Sequence, residues 1–209
     1  MKRLLKTIAL TLLVSFLFVS LIGQLIYNQM LFFPPPDNYQ AGGAITVLKT
    51  EAGEELALWQ VINPAAEYTL LYSHGNAENL GGIKFVSDMF VEQGFSFVAY
   101  DYSGYGLSSG KPTVKNTYKD IDTVYQYLTE TQGLDPAKII VMGNSIGSGP
   151  STYLAEKAPV GGLILQSAFT SVYRVVTKWP VLLGSPYPNL SRIRNIDCPL
   201  LVFMGWPIK

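Results

Sequence analysis

The 209 residues contain only one histidine and one cysteine. The lone cysteine, Cys198, excludes an internal disulfide framework. It stands beside Pro199 at the head of an apolar run and reads as a buried structural thiol. Charge is also scarce: 14% of residues are charged and the formal net charge is zero. No basic run occurs beyond the N-terminus, so nothing points to a nucleic-acid surface. Internal repeats and low-complexity segments are absent. No histidine follows His74, and no carboxylate follows Asp197.

Apolar residues are abundant, at 48%, which is enough for one domain with a real core. The chain opens on a basic head, Lys2, Arg3 and Lys6, and then carries no charge from Thr7 to Pro36. As a helix, the apolar stretch from Ile8 to Ile26 rises about 28 Å, just enough to span a bilayer core. A cleaved signal peptide needs a shorter apolar region and a small-x-small site, and Ser20-Leu21-Ile22-Gly23 is a poor one. An uncleaved signal anchor fits better. Residues 1–29 are therefore expected to form a single transmembrane helix, with Tyr27, Phe32 and Phe33 as interfacial anchors. The basic head then stays in the cytoplasm and the rest of the chain lies on the extracytoplasmic side, periplasmic in a bacterium. Residues 30–43, with Pro34-Pro35-Pro36, read as a stiff linker.

From residue 44 onward the pattern is that of one α/β domain. Ala44 to Lys49 and Glu55 to Ile62 suggest a hairpin across the turn at 51–54. Strands are then expected at Thr69–Tyr72, Phe95–Tyr100, Lys138–Met142, Leu163–Leu165 and Leu200–Met204. Helical spacing is seen over Asn79–Gln93, Val114–Leu128 and Ile146–Lys157. Pro150 sits awkwardly, about one turn inside the last of these. The stretch Thr170–Leu190 has no clean periodicity. Alternating strands and helices imply a mainly parallel sheet covered on both faces.

In such a sheet, ligands gather at the carboxyl ends of the strands. Three loops leave those ends, Ser73–Ala77, Asp101–Gly106 and Gly143–Gly147, and all are rich in glycine and small or polar residues. The last reads Gly-Asn-Ser-Ile-Gly between a strand and a helix, the pattern of a nucleophile elbow centred on Ser145. Its glycines are required because side chains at 143 and 147 meet neighbouring backbone. A serine acting on an acyl group needs two N–H donors for the developing oxyanion. One falls to Ile146 and the other to Asn76 or Ala77. His74 lies in the turn that makes this hole, so it reads as a residue shaping the turn rather than as a base. Asp101 and Tyr102 read the same way. Tyr100, Tyr102 and Tyr105 suit a substrate entrance or core packing equally.

In this order, Ser73-His74-Gly75-Asn76-Ala77, Tyr100-Asp101-Tyr102-Ser103-Gly104-Tyr105-Gly106 and Gly143-Asn144-Ser145-Ile146-Gly147 resemble the α/β-hydrolases. The resemblance runs from about Phe33 to Gly205. It is to a membrane-anchored branch that includes protein depalmitoylases and bacterial hydrolases near the serine aminopeptidases. Met30-Leu31-Phe32-Phe33-Pro34 resembles the segment that follows the anchor in that branch, whose members also accept a proline at the place of Pro150. The resemblance implies Ser145 as nucleophile and Asn76 and Ile146 as backbone oxyanion donors, with His74, Gly75, Ala77 and Tyr102 near the substrate. The substrate is then an ester, thioester or amide, and no metal or organic cofactor is implied. It also implies a triad acid after the strand ending Phe203-Met204-Gly205 and a histidine one strand later. Neither occurs. Residues 44–209 are therefore expected to be an incomplete hydrolase domain without its last strand and helix, or else a non-catalytic pseudoenzyme or binding protein.

Overall fold

A computed structural model describes residues 2–50, 53–176 and 186–205. Helix α1 (Lys2–Leu31) leads into strands β1 (Ile45–Lys49) and β2 (Glu55–Val61). Then follow β3 (Thr69–Ser73), α2 (Lys84–Glu92), β4 (Ser96–Tyr100), α3 (Val114–Gln126) and β5 (Ile139–Asn144). Helix α4 (Ser148–Lys157), β6 (Gly162–Gln166), α5 (Val172–Val176), α6 (Asn189–Arg192) and β7 (Leu200–Phe203) complete the order.

The seven strands form one sheet in the order β1-β2-β4-β3-β5-β6-β7. The β1–β2 and β2–β4 pairs are antiparallel and all others are parallel. The expected hairpin is formed, with Thr50 and Glu54 bonded across its turn. The rest of that turn, residues 51 and 52, lies outside the described residues. Every residue of β3 and β4 is buried, as expected of central strands covered on two faces.

The pleat sends alternate residues to opposite faces. Leu71, Val98 and Val141 face a cluster built with Ile121, Val124 and Leu128 of the α3 region and Leu154 of α4. Leu70, Tyr72, Phe97 and Met142 face a second cluster with Leu80, Ile83, Val86 and Phe90 around α2. Helices thus cover both faces.

Three boundaries differ from the sequence reading for physical reasons. The helix expected from Asn79 begins at Lys84. The Asn79 carboxamide accepts from Gly81 N–H at 3.1 Å and Asp101 takes Leu80 N–H at 2.9 Å, so the chain turns here instead of coiling. Leu80 and Ile83 keep their apolar role from within that turn. Pro150 is accommodated because Ser145–Gly147 is a separate 3-10 turn and α4 starts at Ser148. The proline then lies in the first helical turn, where its missing N–H has no acceptor to serve. Helix α1 continues through Leu31, and Phe32 is 5% exposed, packed edge-on to Tyr105 at 6.4 Å. Phe32 is therefore a core residue of the domain and not an interfacial anchor. Phe33 is exposed.

Within α1, Lys2–Gly23 is long and apolar enough to cross a membrane by length and composition. Its large apolar side chains are exposed along most of its length.

Candidate active site

Ser145 stands at the carboxyl end of β5 with φ of 52°, in the left-handed region that a non-glycine residue rarely enters. Two close backbone approaches hold it there. A Cβ on Gly143 lies 2.4 Å from Gly147 O, and a Cβ on Gly147 lies 2.1 Å from Ser73 O. Only glycine fits either place, and Gly147 thereby presses the elbow against the end of β3. The pairing of Ser73 with Gly143 brings the loop that follows β3 alongside the elbow. From behind, Ser148 Oγ donates to Ser145 O at 2.6 Å, and Asn189 Nδ2 donates to Ser148 Oγ at 3.0 Å.

The loop after β3 is braced on every side. Gly75 N–H donates to Glu78 Oε2 at 2.7 Å. His74 is fully buried, and its Nδ1 lies 2.8 Å from Gly75 O, so that nitrogen carries the proton. Its Nε2 is 3.3 Å from Asp101 Oδ1, off the line of a hydrogen bond. The ring packs 4.3 Å from that of Tyr102, whose hydroxyl donates to His74 O at 2.6 Å. Burial holds the Tyr102 hydroxyl well above its ordinary pKa, so it remains a neutral donor. His74 and Tyr102 thus lie beneath the loop, Asn76 is half-buried, and Ala77 is exposed. Among the described residues no protein acceptor takes the N–H of Asn76 or of Ile146.

Asp101 closes the same cluster. Its carboxylate accepts from Leu80 N–H and from the Tyr39 hydroxyl. The glycine-rich loop after β4 rests on a second buried carboxylate, Asp120 of α3, which accepts from Ser103 N–H at 2.8 Å and Ser103 Oγ at 2.7 Å. Burial pushes the Asp120 carboxyl up to about 7, against the pull of those two bonds.

Sequence reasoning singled out Ser145, Asn76 and Ile146, and these share the end of the sheet where β3 and β5 adjoin. It missed Tyr39, Asp120, Tyr187 and Asn189. Tyr187 is fully buried with φ of 50°, and its ring occupies the space that a Cβ on Gly149 needs. Its surroundings carry no periodic signal. The aperiodic stretch Thr170–Leu190 lies partly outside the described residues, at 177–185. Two surface depressions, of about 280 and 430 Å³, lie beside Thr170, Arg174 and Leu190 and beside Ala155–Val160 and Cys198, and Ser145 borders neither. Among the described residues no cluster of His, Cys, Asp or Glu is arranged to hold a metal ion.

The profile of the serine aminopeptidase S33 family matches residues 64–202, which contain all three loops. The chain belongs to this family of α/β-hydrolases. Among relatives, it is 40% identical over 165 residues to human alpha/beta hydrolase domain-containing protein 17B, covering 75% of this chain and 56% of that protein. It is 39% identical over 146 residues to mouse alpha/beta hydrolase domain-containing protein 17C, covering 68% and 45%. The chain thus spans about half the length of these relatives. Solved structures share the fold. An α/β-hydrolase from Vibrio vulnificus superposes with a TM-score of 0.65 at 23% identity, over 76% of this chain and 62% of that one. The Pyrococcus furiosus esterase Pf2001 gives 0.63 at 18% identity, over 83% and 77%.

Proposed function

We propose that this chain carries the nucleophile half of a membrane-anchored serine hydrolase. Ser145 attacks the carbonyl carbon of an ester, thioester or amide, and the N–H groups of Asn76 and Ile146 receive the charge that develops on the carbonyl oxygen. The observation that carries this reading is the left-handed Ser145 between two glycines that no other residue can replace. Such strain persists where the surroundings enforce it, and it lifts the serine hydroxyl clear of the strand end. His74, Gly75, Tyr102 and Ala77 act on the substrate through the loop. The first three set its shape, and Ala77 faces the substrate.

Among the described residues the proton of Ser145 has no base to go to. His74 is the one histidine; it is fully buried, with Nδ1 bonded to Gly75 O and Nε2 turned to Asp101 Oδ1 at 3.3 Å. Ser145 is then a weak nucleophile at neutral pH, because losing the base of such a triad costs on the order of 10⁶ in turnover. Residues 1–29 anchor the domain in the membrane, with Lys2, Arg3 and Lys6 on the cytoplasmic side. A cysteine introduced at exposed Lys115 in a Cys198→Ser background is expected to react with an impermeant maleimide in intact spheroplasts. Reaction only after lysis contradicts that orientation.

The nucleophile is tested by incubating the detergent-solubilised chain with a fluorophosphonate and mapping the adduct by mass spectrometry. Slow modification at Ser145, lost in Ser145→Ala, is expected; modification elsewhere with Ser145 untouched refutes it. The buried, committed His74 also favours a second reading, a binding protein that keeps the fold without the chemistry. Added imidazole separates the two. A catalytic half gains about tenfold in labelling rate, part of the roughly 10²–10⁴ that a positioned base contributes. A binding protein gains nothing.

A further inference from the structure

We propose that the segment leaving the membrane helix, residues 31–39, is a working part of the active site that positions the loop after β3. The Asn76 side chain is the joint. Its Nδ2 donates to Leu31 O at 2.7 Å, and its Oδ1 accepts from Phe33 N–H at 3.0 Å and from the Tyr105 hydroxyl at 2.7 Å. One carboxamide therefore brackets Phe32, the residue that follows α1. The Tyr105 ring is fully buried and seats Phe32 against it.

The grip repeats along the segment. Asn79 Nδ2 donates to Pro36 O at 3.3 Å. A Cβ on Gly81 falls 2.1 Å from the Asn38 carboxamide oxygen, so the loop and the segment touch there too. The Tyr39 hydroxyl donates to Asp101, which holds Leu80 N–H, and accepts from Leu107 N–H at 3.0 Å. Three direct contacts and one through Asp101 thus tie residues 76–81 to residues 31–39, and neither 32–39 nor 76–81 is a strand or an α-helix. Each is shaped by the other.

The consequence is a division of labour at the site. The elbow is fixed by the sheet and α4, and the loop opposite it is fixed by the exit of the anchor. Loosening residues 31–39 displaces the Asn76 amide without disturbing Ser145. Asn76, Tyr105 and Tyr39 are positioning residues, distinct from the backbone N–H that Asn76 offers. The catalytic consequence rests on reading that N–H as an oxyanion donor; the mechanical coupling does not.

Hydrogen exchange on the full chain in detergent tests the coupling without requiring activity. Asn76→Ala keeps the backbone N–H and removes the joint. Tyr105→Phe removes two bonds, the one donated to Asn76 Oδ1 and the one accepted from Phe33 N–H at 3.1 Å, and keeps the packed ring. Exchange of amides 76–82 is expected to rise by about tenfold in Asn76→Ala and less in Tyr105→Phe, with residues 139–147 unchanged. Unaltered exchange at 76–82 in Tyr105→Phe and Asn76→Ala overturns the proposal, as does an equal rise at 139–147 in Tyr105→Phe. Where Asn76→Ala fails to fold, Tyr105→Phe alone decides. The catalytic arm uses fluorophosphonate inactivation. With the loop displaced, the maximal inactivation rate falls by about tenfold while the half-saturating concentration holds, a modest part of the loss of an oxyanion donor. A purely structural lesion lowers the labelled fraction instead of the rate. An altered exchange with an unaltered rate leaves the coupling standing and removes the oxyanion assignment.

Discussion

Strands β3 and β7 belong to the same parallel sheet and have nearly the same apolar character, yet their surroundings differ completely. All of β3 is buried between β4 and β5, with α2 on one face and α3 and α4 on the other. In β7, Leu200, Leu201 and Val202 are 41%, 55% and 52% exposed, and among the described residues the strand pairs only with β6. Burial is therefore set by what neighbours a strand and not by its own residues. The elements that converge on β3 also build the site. The elbow, the loop after β3 and the loop after β4 are locked by glycine contacts and buried polar groups, whereas among the described residues the β7 side carries no comparable network.

That contrast is most severely tested by Gly147→Ala. The added methyl meets Ser73 O at 2.1 Å and His74 O at 2.9 Å, both backbone atoms that cannot turn aside. A loss of about 3 kcal/mol or more in urea unfolding is expected. A loss under about 1 kcal/mol contradicts the claim that the centre is rigid.

Asp120→Asn is expected to have a smaller effect, and one that depends on pH. The folded-state value of about 7 lies above the ordinary 3.8, so the folded chain keeps a proton that the unfolded chain has released. Stability from this group is fully present below about 4 and is lost as pH rises through about 7. Glu54 opposes ionisation and Lys119 favours it, so both flank the effect. Wild-type unfolding free energy should drop by a few kcal/mol from pH 5 to 8, and Asp120→Asn should flatten that slope. An unchanged slope in the variant places the titration elsewhere.

At the β7 edge, Leu201→Lys is expected to shift stability by no more than about 0.5 kcal/mol, because the side chain is already half in solvent. Self-association measured by sedimentation should fall, since a charge on an exposed edge opposes strand-to-strand pairing. A large stability loss would show that the edge is as tightly packed as β3.

The parts of the fold set by local pattern were legible in the sequence. Gly143 and Gly147 announced the elbow because the steric demand falls on residues two positions from Ser145. The alternation of apolar strands and amphipathic helices announced the layers. What escaped were contacts between residues far apart in the chain. Asn76 drew notice for its backbone N–H alone, and no local pattern showed that its side chain reaches back 45 residues to Leu31. Phe32 looked like a lipid anchor because it follows an apolar helix, and only Tyr105, far downstream, shows that it belongs to the core. The Asn79–Ile83 turn kept helical spacing while Asp101 and Asn79 took the N–H groups that a helix needs. Asp120 sat on a recognisable helix, but nothing nearby in sequence showed that it would face Ser103.

On the proposed function, Ser145 is posed by the fold while no base among the described residues takes its proton. The pH dependence of fluorophosphonate labelling at Ser145 tests it most directly. Without a base, the rate should be slow and climb about tenfold per pH unit through the alkaline range, as the serine alkoxide becomes populated. Fast labelling with a plateau or bell near neutral pH would contradict the claim, because it requires a titrating group beside Ser145.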